Sequence, residues 1–209
     1  MSNDSCLAAA VLAGGHSRRL GGADKSSLPV GGQPILERIL RALHPVITRI
    51  FAVGDHHGAA ARAGLTVLDD LIPDGGPLGA IYTAIVGSPC DRTLVLACDM
   101  PFVTGAFVAH LAAIGGADLV IPRDRKGLQP LCAIYSRSCA DGIRARLDRG
   151  ERHAAALPEG VRVVEIGPEE LAEYDPDGLL FVNVNTPHDY AQAQRILETG
   201  WTADATTDV

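Results

Sequence analysis

The chain has 209 residues, 47% hydrophobic and 21% charged, which suffices to bury a substantial core within one domain. A formal net charge of −7 excludes broad electrostatic attraction to nucleic acid or an anionic membrane, so any anion site must be local. No apolar run approaches the roughly 20 residues needed to span a bilayer.

The first apolar run, CLAAAV, leads directly into LAGGHSRRLGGADK (12–25), a loop with four glycines, two adjacent arginines, an aspartate and a lysine. Further strand-like runs lie at 46–53, 65–69, 92–98, 117–121, 130–135, 161–166 and 179–184, after a first at 6–13. Several are continuous rather than alternating, as expected of strands covered on both faces. Helical patterns fall between them. PILERILRAL (34–43) sets Ile35, Leu36, Ile39, Leu40 and Leu43 on one stripe, with Pro34 suited to the first turn. PLGAIYTAIVG (77–87), FVAHLAAI (107–114) and PHDYAQAQRILETG (187–200) repeat the scheme. This order predicts an α/β three-layer sandwich built on a mainly parallel sheet. The closer spacing of the later strands predicts some antiparallel pairing. A single domain over 1–198 is expected, followed by a frayed tail from 199, WTADATTDV at its end.

Ligands of open α/β sheets bind beyond the carboxyl ends of the strands, and here those ends are polar. They carry AGGHSRR, Asp69-Asp70, Cys98-Asp99-Met100-Pro101 and NVNTP (183–187). The first loop matches neither GxGxxG nor GxxxxGK[ST], because Asp24 rather than glycine precedes Lys25. Its glycines still let backbone N–H groups approach an anion, and Arg18, Arg19 and Lys25 can neutralise phosphate charge; a solvated basic turn is the competing account. Asp99, at a strand mouth, suits a hard cation that keeps several waters, against a simple turn before proline. Asp70 could equally cap a turn in DDLIPDGG. Asn183 and Asn185 alternate and so share a face, while Thr186-Pro187 reads as a helix start; Asn185 serves a metal, a substrate or only the strand-to-helix turn.

Cys6, Cys90, Cys98, Cys132 and Cys139 form no CxxC pair and no zinc spacing, and the odd count without a signal peptide predicts a reducing cytoplasm. His16, His56, His57 and His188 have no ligand spacing and read as surface residues.

LAGGHSRRLGGADK with the following PVGGQPILER resembles the N-terminal signature of the molybdenum cofactor guanylyltransferases, within the wider nucleotidyltransferases. LDDLIPDGGPLGAI (68–81), VLACDMPFV (95–103), QPLCAIY (129–135), RGERHAAAL (149–157) and FVNVNTPHDY (181–190) resemble later family blocks in the same order. The resemblance implies a Rossmann-like fold and Mg2+-dependent transfer of GMP from GTP to the terminal phosphate of molybdenum-bearing molybdopterin, with release of pyrophosphate. The attacking phosphate is already nucleophilic, so no Ser-His-Asp apparatus is required; positioning and charge stabilisation carry the reaction.

By the same resemblance, Leu12, Ala13, Gly14 and Gly15 form the nucleotide-binding loop, Arg19 and Lys25 are catalytic, and Lys25 contacts phosphate. Asp70 contacts the nucleotide, and Asp99 is a catalytic, nucleotide-binding residue and the Mg2+ ligand. Gln129 and Arg149–His153 would face the pterin. Transient contact with proteins that deliver or receive the cofactor is also implied. The family commonly has asparagine near the end of the second strand, where this chain reads AVGDHH (52–57). Relatives that use CTP commonly have LAAG, so the missing Cβ of Gly14 is expected to admit guanine and to favour GTP over CTP by at least about tenfold in kcat/KM. The alternatives are a cytidylyltransferase or an enzyme with another phosphate-bearing acceptor, a dinucleotide-dependent oxidoreductase lacking its fingerprint, and a non-catalytic nucleotide-binding homologue.

Overall fold

The computed structural model describes residues 6–14 and 25–201. Strand β1 (Leu7–Leu12) is followed by a short 3-10 helix (Lys25–Ser27), a hairpin of β2 (Pro29–Val30) and β3 (Gln33–Pro34), and helix α1 (Ile35–Leu43). The hairpin turn is Gly31-Gly32, both at positive φ (61° and 77°), as a two-residue turn matching strand twist requires. Then come β4 (Arg49–Val53), α2 (Ala59–Arg62), β5 (Thr66–Leu68), α3 (Gly76–Gly87), β6 (Arg92–Ala97) and α4 (Gly105–Ala113). The remainder is β7 (Leu119–Asp124), β8 (Gly127–Leu128), β9 (Cys132–Ser136), α5 (Cys139–Asp148), β10 (Val163–Ile166), α6 (Pro168–Leu171) and α7 (Pro187–Glu198).

The main sheet runs β10-β7-β9-β6-β1-β4-β5, with β8 paired to the end of β7. Neighbours among β6, β1, β4 and β5 are parallel, as are β10 and β7, whereas β9 is antiparallel to both β6 and β7. The parallel block and the later antiparallel pairing therefore match expectation. Alternate residues of β1 serve two cores. Ala9 and Val11 join Ile35, Ile39, Leu43, Phe102 and Phe107 on one face; Ala8 and Ala10 join Leu78, Ile81, Ile85, Ile143 and Leu147 on the other. Helices α1 and α4 thus cover one side and α3 and α5 the other, giving the three layers.

The expected strand at 179–184 does not form. Asp175 Oδ1 accepts the N–H groups of Leu179 (2.6 Å) and Leu180 (3.2 Å), Val182 N–H donates to Leu179 O, and Val184 N–H donates to Asp99 O. Leu180, Phe181 and Val184 are nevertheless buried, so the apolar pattern records burial without strand pairing. Helices α2, α5 and α6 were not anticipated. Two are a single turn, and α5 (CADGIRARLD) has only Cys139, Ile143 and Leu147 as buried apolar positions.

Cys6 and Cys90 form a disulfide, against the reducing environment expected from the odd cysteine count; it becomes possible because β1 and β6 are neighbours with Leu7 opposite Arg92. Cys98, Cys132 and Cys139 are buried. At the other end, the Trp201 ring lies edge-on to Phe102, with centroids 5.0 Å apart, and residues 202–209 of the expected tail lie outside the described residues. Among the described residues no helix is long and apolar enough to cross a membrane.

Candidate active site

The parallel strands β5, β4, β1 and β6 end side by side, and their carboxyl ends open onto a cavity of about 930 Å3. Its size is near the upper end of the roughly 300–1,000 Å3 of small-molecule sites. Each strand contributes its end or continuation: Leu12–Gly14 at the end of β1, Gly54–His57 after β4, Asp69 and Asp70 after β5, and Cys98 and Asp99 after β6. The first turn of α3 adds Gly75, Gly76 and Pro77, and the segment before α7 adds Asn183 and Asn185.

Hydrogen bonds carry the parallel register one residue past the strands. Ala13 N–H donates to Val53 O (2.9 Å), Gly54 N–H to Leu68 O (3.0 Å) and Cys98 N–H to Leu12 O (3.1 Å). The loop entry is therefore fixed between the ends of β4 and β6, and the Ala13 amide is committed to the protein rather than to a ligand. Gly14 and Gly54 then meet backbone to backbone. A Cβ on Gly14 would stand 3.0 Å from Gly54 O, and one on Gly54 would stand 3.0 Å from Gly14 Cα and 3.1 Å from Asp70 Oδ2. Gly54 also sits at φ +68°, a region that favours glycine. The absent methyl of Gly14 thus leaves room for the close approach of Gly54.

Asp70 is half-buried, and burial raises its carboxyl above the ordinary aspartate range; Asp69 adds to the rise and the charge of His56 opposes it. The loop carrying it is tied down by buried Thr83, whose Oγ1 accepts Leu71 N–H (3.0 Å) and donates to Gly79 O (2.9 Å). Asp74, in the same cavity wall, is the one non-glycine residue at positive φ among those described (54°). Asp99 is half-buried, and its carbonyl accepts Val184 N–H at 2.9 Å. That bond sets the NVN segment against the end of β6, so Asn183 and Asn185 flank buried Val184 and both reach the cavity without any strand. The helix start read from Thr186-Pro187 is present: Thr186 Oγ1 accepts Asp189 N–H (3.2 Å), and Asp189 Oδ2 accepts the N–H groups of Asn185 (3.0 Å) and Thr186 (2.8 Å).

Of the residues expected at the site, Leu12, Ala13, Gly14, Asp70 and Asp99 come together on this cavity. Gly15, Arg18 and Arg19 lie outside the described residues. Lys25 opens the 3-10 helix whose next residue, Ser26, lines the cavity. Gln129 and Arg149–His153 do not line it, although Leu131 does. The 149–153 segment instead docks on the first turn of α3, where Leu78 N–H donates to Arg152 O (3.2 Å). Buried Arg146 holds that segment from behind, donating to Glu151 Oε2 (2.7 Å), His153 O (2.8 Å) and Ala156 O. His56 and His57, read as surface residues, are exposed yet stand at the cavity, as does Asp55. The glycine following β4 was the available signal for this missed wall.

Residues 9–166 match the family described as MobA-like NTP transferase domain. The chain is 35% identical over 189 residues to the probable molybdenum cofactor guanylyltransferase of Pelotomaculum thermopropionicum, covering 90% of this chain and 92% of that one. It is 36% identical over 205 residues to the molybdenum cofactor guanylyltransferase of Mesorhizobium japonicum, covering 92% and 96%. Among solved structures, the molybdopterin-guanine dinucleotide biosynthesis protein A of Archaeoglobus fulgidus superposes with a TM-score of 0.76 at 28% identity, over 92% of this chain and 99% of that one.

Proposed function

This chain belongs to the MobA-like NTP transferase family, and we propose that it transfers GMP from GTP to the terminal phosphate of molybdenum-bearing molybdopterin, with Mg2+ as cofactor. The observation that carries this reading is the convergence of Leu12–Gly14, Asp70 and Asp99 on one cavity at the ends of adjacent parallel strands. The 35% identity to a chain named for this activity supports the choice of substrates.

The chemistry asked of the site is modest. A phosphate monoester of the acceptor attacks the α-phosphorus in line, the bond to the β-phosphate oxygen breaks, and pyrophosphate carries away the electron pair. The protein must hold two anions together and offset the charge that develops on the transferred and departing groups. Asp70, with its raised proton affinity and fixed loop, is suited to accepting hydrogen bonds from the nucleoside. Lys25, with Arg19 beyond the described residues, supplies positive charge for the triphosphate in this reading. Asp99, Asn183 and Asn185 present oxygen donors from two segments bonded to each other, a donor set that fits Mg2+ with several waters retained. When bound there, Mg2+ would neutralise phosphate charge and favour departure of pyrophosphate.

The direct test is incubation with Mg2+, molybdenum-loaded molybdopterin and each of the four nucleoside triphosphates, followed by mass analysis of the dinucleotide. A guanine dinucleotide is expected, and a cytosine dinucleotide as the main product would overturn the choice of base. Asp99→Asn should retain the fold while lowering turnover by several powers of ten and weakening Mg2+ binding measured by calorimetry. Full activity in that variant would remove Asp99 from the metal site.

A further inference from the structure

Helix α7 touches the cavity region through its lead-in and the N-terminal hairpin through its middle. The lead-in is bonded to the end of β6 by Val184 N–H and Asp99 O. Further along, Tyr190 Oη and Gln194 Nε2 both donate to Pro29 O, at 2.8 and 3.0 Å, and Gln194 Oε1 accepts Gly31 N–H at 2.8 Å. Gln194 Nε2 also donates to Tyr190 Oη at 2.8 Å, closing the network. The amide of Gln194 thus donates and accepts along the hairpin edge much as a neighbouring strand would. Its orientation is forced, because a carbonyl can only accept and a backbone N–H can only donate. Leu197 fills the space left by the absent Cβ of Gly31, which would stand 2.5 Å from Leu197 Cδ1.

These side chains do not line the cavity, and the hairpin they grip has no chemistry of its own. It does, however, directly follow the 3-10 helix of Lys25 and Ser26, and Ile35 N–H bonds back to Leu28 O to close that stretch. We propose that Tyr190 and Gln194 are positioning residues for the transfer reaction: by gripping Pro29 and Gly31 they fix the arm bearing Lys25 relative to Asp99. One helix then sets the spacing between the chain at Lys25 and the chain at Asp99. The inference rests on the proposed role of Lys25 at the triphosphate. Its leverage is that a misplacement of about 1 Å, caused far from the chemistry, can lower a rate about 100-fold.

The test is a double-mutant cycle in the full-length protein. Gln194→Ala, Gln194→Glu and Tyr190→Phe are each made alone and with Lys25→Ala, and kcat/KM for GTP and melting temperature are measured. Gln194→Ala should lower kcat/KM by about 10- to 100-fold in the parent and by less than about twofold once Lys25 is absent, because the two act as a unit. Gln194→Glu, which keeps the size and the acceptor but sets an oxygen against Pro29 O, should not rescue it. Tyr190→Phe keeps the ring and loses one bond, so it provides a folded variant with a milder loss of several-fold. Equal losses with and without Lys25, rescue by Gln194→Glu, or a fall in melting temperature with unchanged kcat/KM would each overturn the proposal. If Lys25→Ala alone leaves GTP kinetics intact, the reading of Lys25 fails first and the clamp falls with it.

Discussion

Gly14→Ala adds one methyl group at the closest approach of two loops. The new Cβ would lie 3.0 Å from Gly54 O and 3.3 Å from Gly54 Cα, so the neighbours are backbone rather than the end of a flexible side chain. Gly54 has little room to retreat: its N–H donates to Leu68 O at 3.0 Å, its carbonyl accepts His56 N–H at 3.2 Å, and its φ is +68°. Moving it by a few tenths of an ångström stretches those bonds and the one between Ala13 N–H and Val53 O. Overpacking by a methyl costs about 1–3 kcal/mol. In a chain of this length each kcal/mol lowers the melting temperature by about 2–4 °C. Gly54–His57 line the cavity whichever nucleotide enters it, so kcat/KM for GTP and for CTP should fall together, by about tenfold, equivalent to about 1.4 kcal/mol. The assay is calorimetric melting combined with nucleotide competition for one acceptor. An unchanged melting temperature with loss confined to GTP would refute the reasoning, because it would place the methyl against the base rather than against Gly54. Gly54→Ala should be harsher, since it meets Gly14 Cα and Asp70 Oδ2 and also adds about 1–2 kcal/mol for its left-handed backbone.

Arg146→Met should destabilise the protein by about 1–3 kcal/mol, because it takes the buried donor away from the carbonyls of His153 and Ala156, while Glu151 keeps Arg149; urea unfolding with a change below about 0.5 kcal/mol would deny it that role. Asp189→Ala removes the acceptor for two amides at the start of α7 and should cost about 0.5–2 kcal/mol at neutral pH. Desolvation opposes ionisation of Asp189, but the Asn185 and Thr186 donors outweigh it and hold the carboxyl below the usual aspartate range. With the folded value depressed, its contribution is complete above the unfolded value of about 3.9 and disappears as pH falls through the lower folded value, so parent and variant should converge in stability below about pH 4. A constant difference down to pH 2, about two units below that value, would contradict this. The Cys6–Cys90 bond closes a sequence separation of 84 residues, so a reductant should lower stability by up to about 4–5 kcal/mol, and Cys6→Ser should abolish that sensitivity.

What could be read in advance depended on whether a residue's role is set by its chain neighbours or by strands that meet only in the fold. Asp99 follows the buried run TLVLAC directly, so its place at a strand mouth could be read from local pattern, as could the stripe of α1 and the cap at Thr186. Gly54 could not be read in this way. Its contact with Gly14 arises because β1 and β4 are parallel with Leu12 opposite Val53, a register that neither segment states alone. The same limit hid the grip of Gln194 on Gly31, which spans 163 residues, and the inward turn of Arg146, whose charge within a helix ordinarily signals a solvated face. The segment 179–184 shows the converse. A run of apolar residues marks a segment as buried, but a strand also needs a neighbouring edge for its amides, and here Asp175 and the Asp99 carbonyl satisfy amides of this segment. Burial without pairing leaves the NVN backbone free of the sheet's pleat and bonded to the residue proposed to hold the metal. That bond lets a loop, rather than a strand, bring two amide side chains to the cavity.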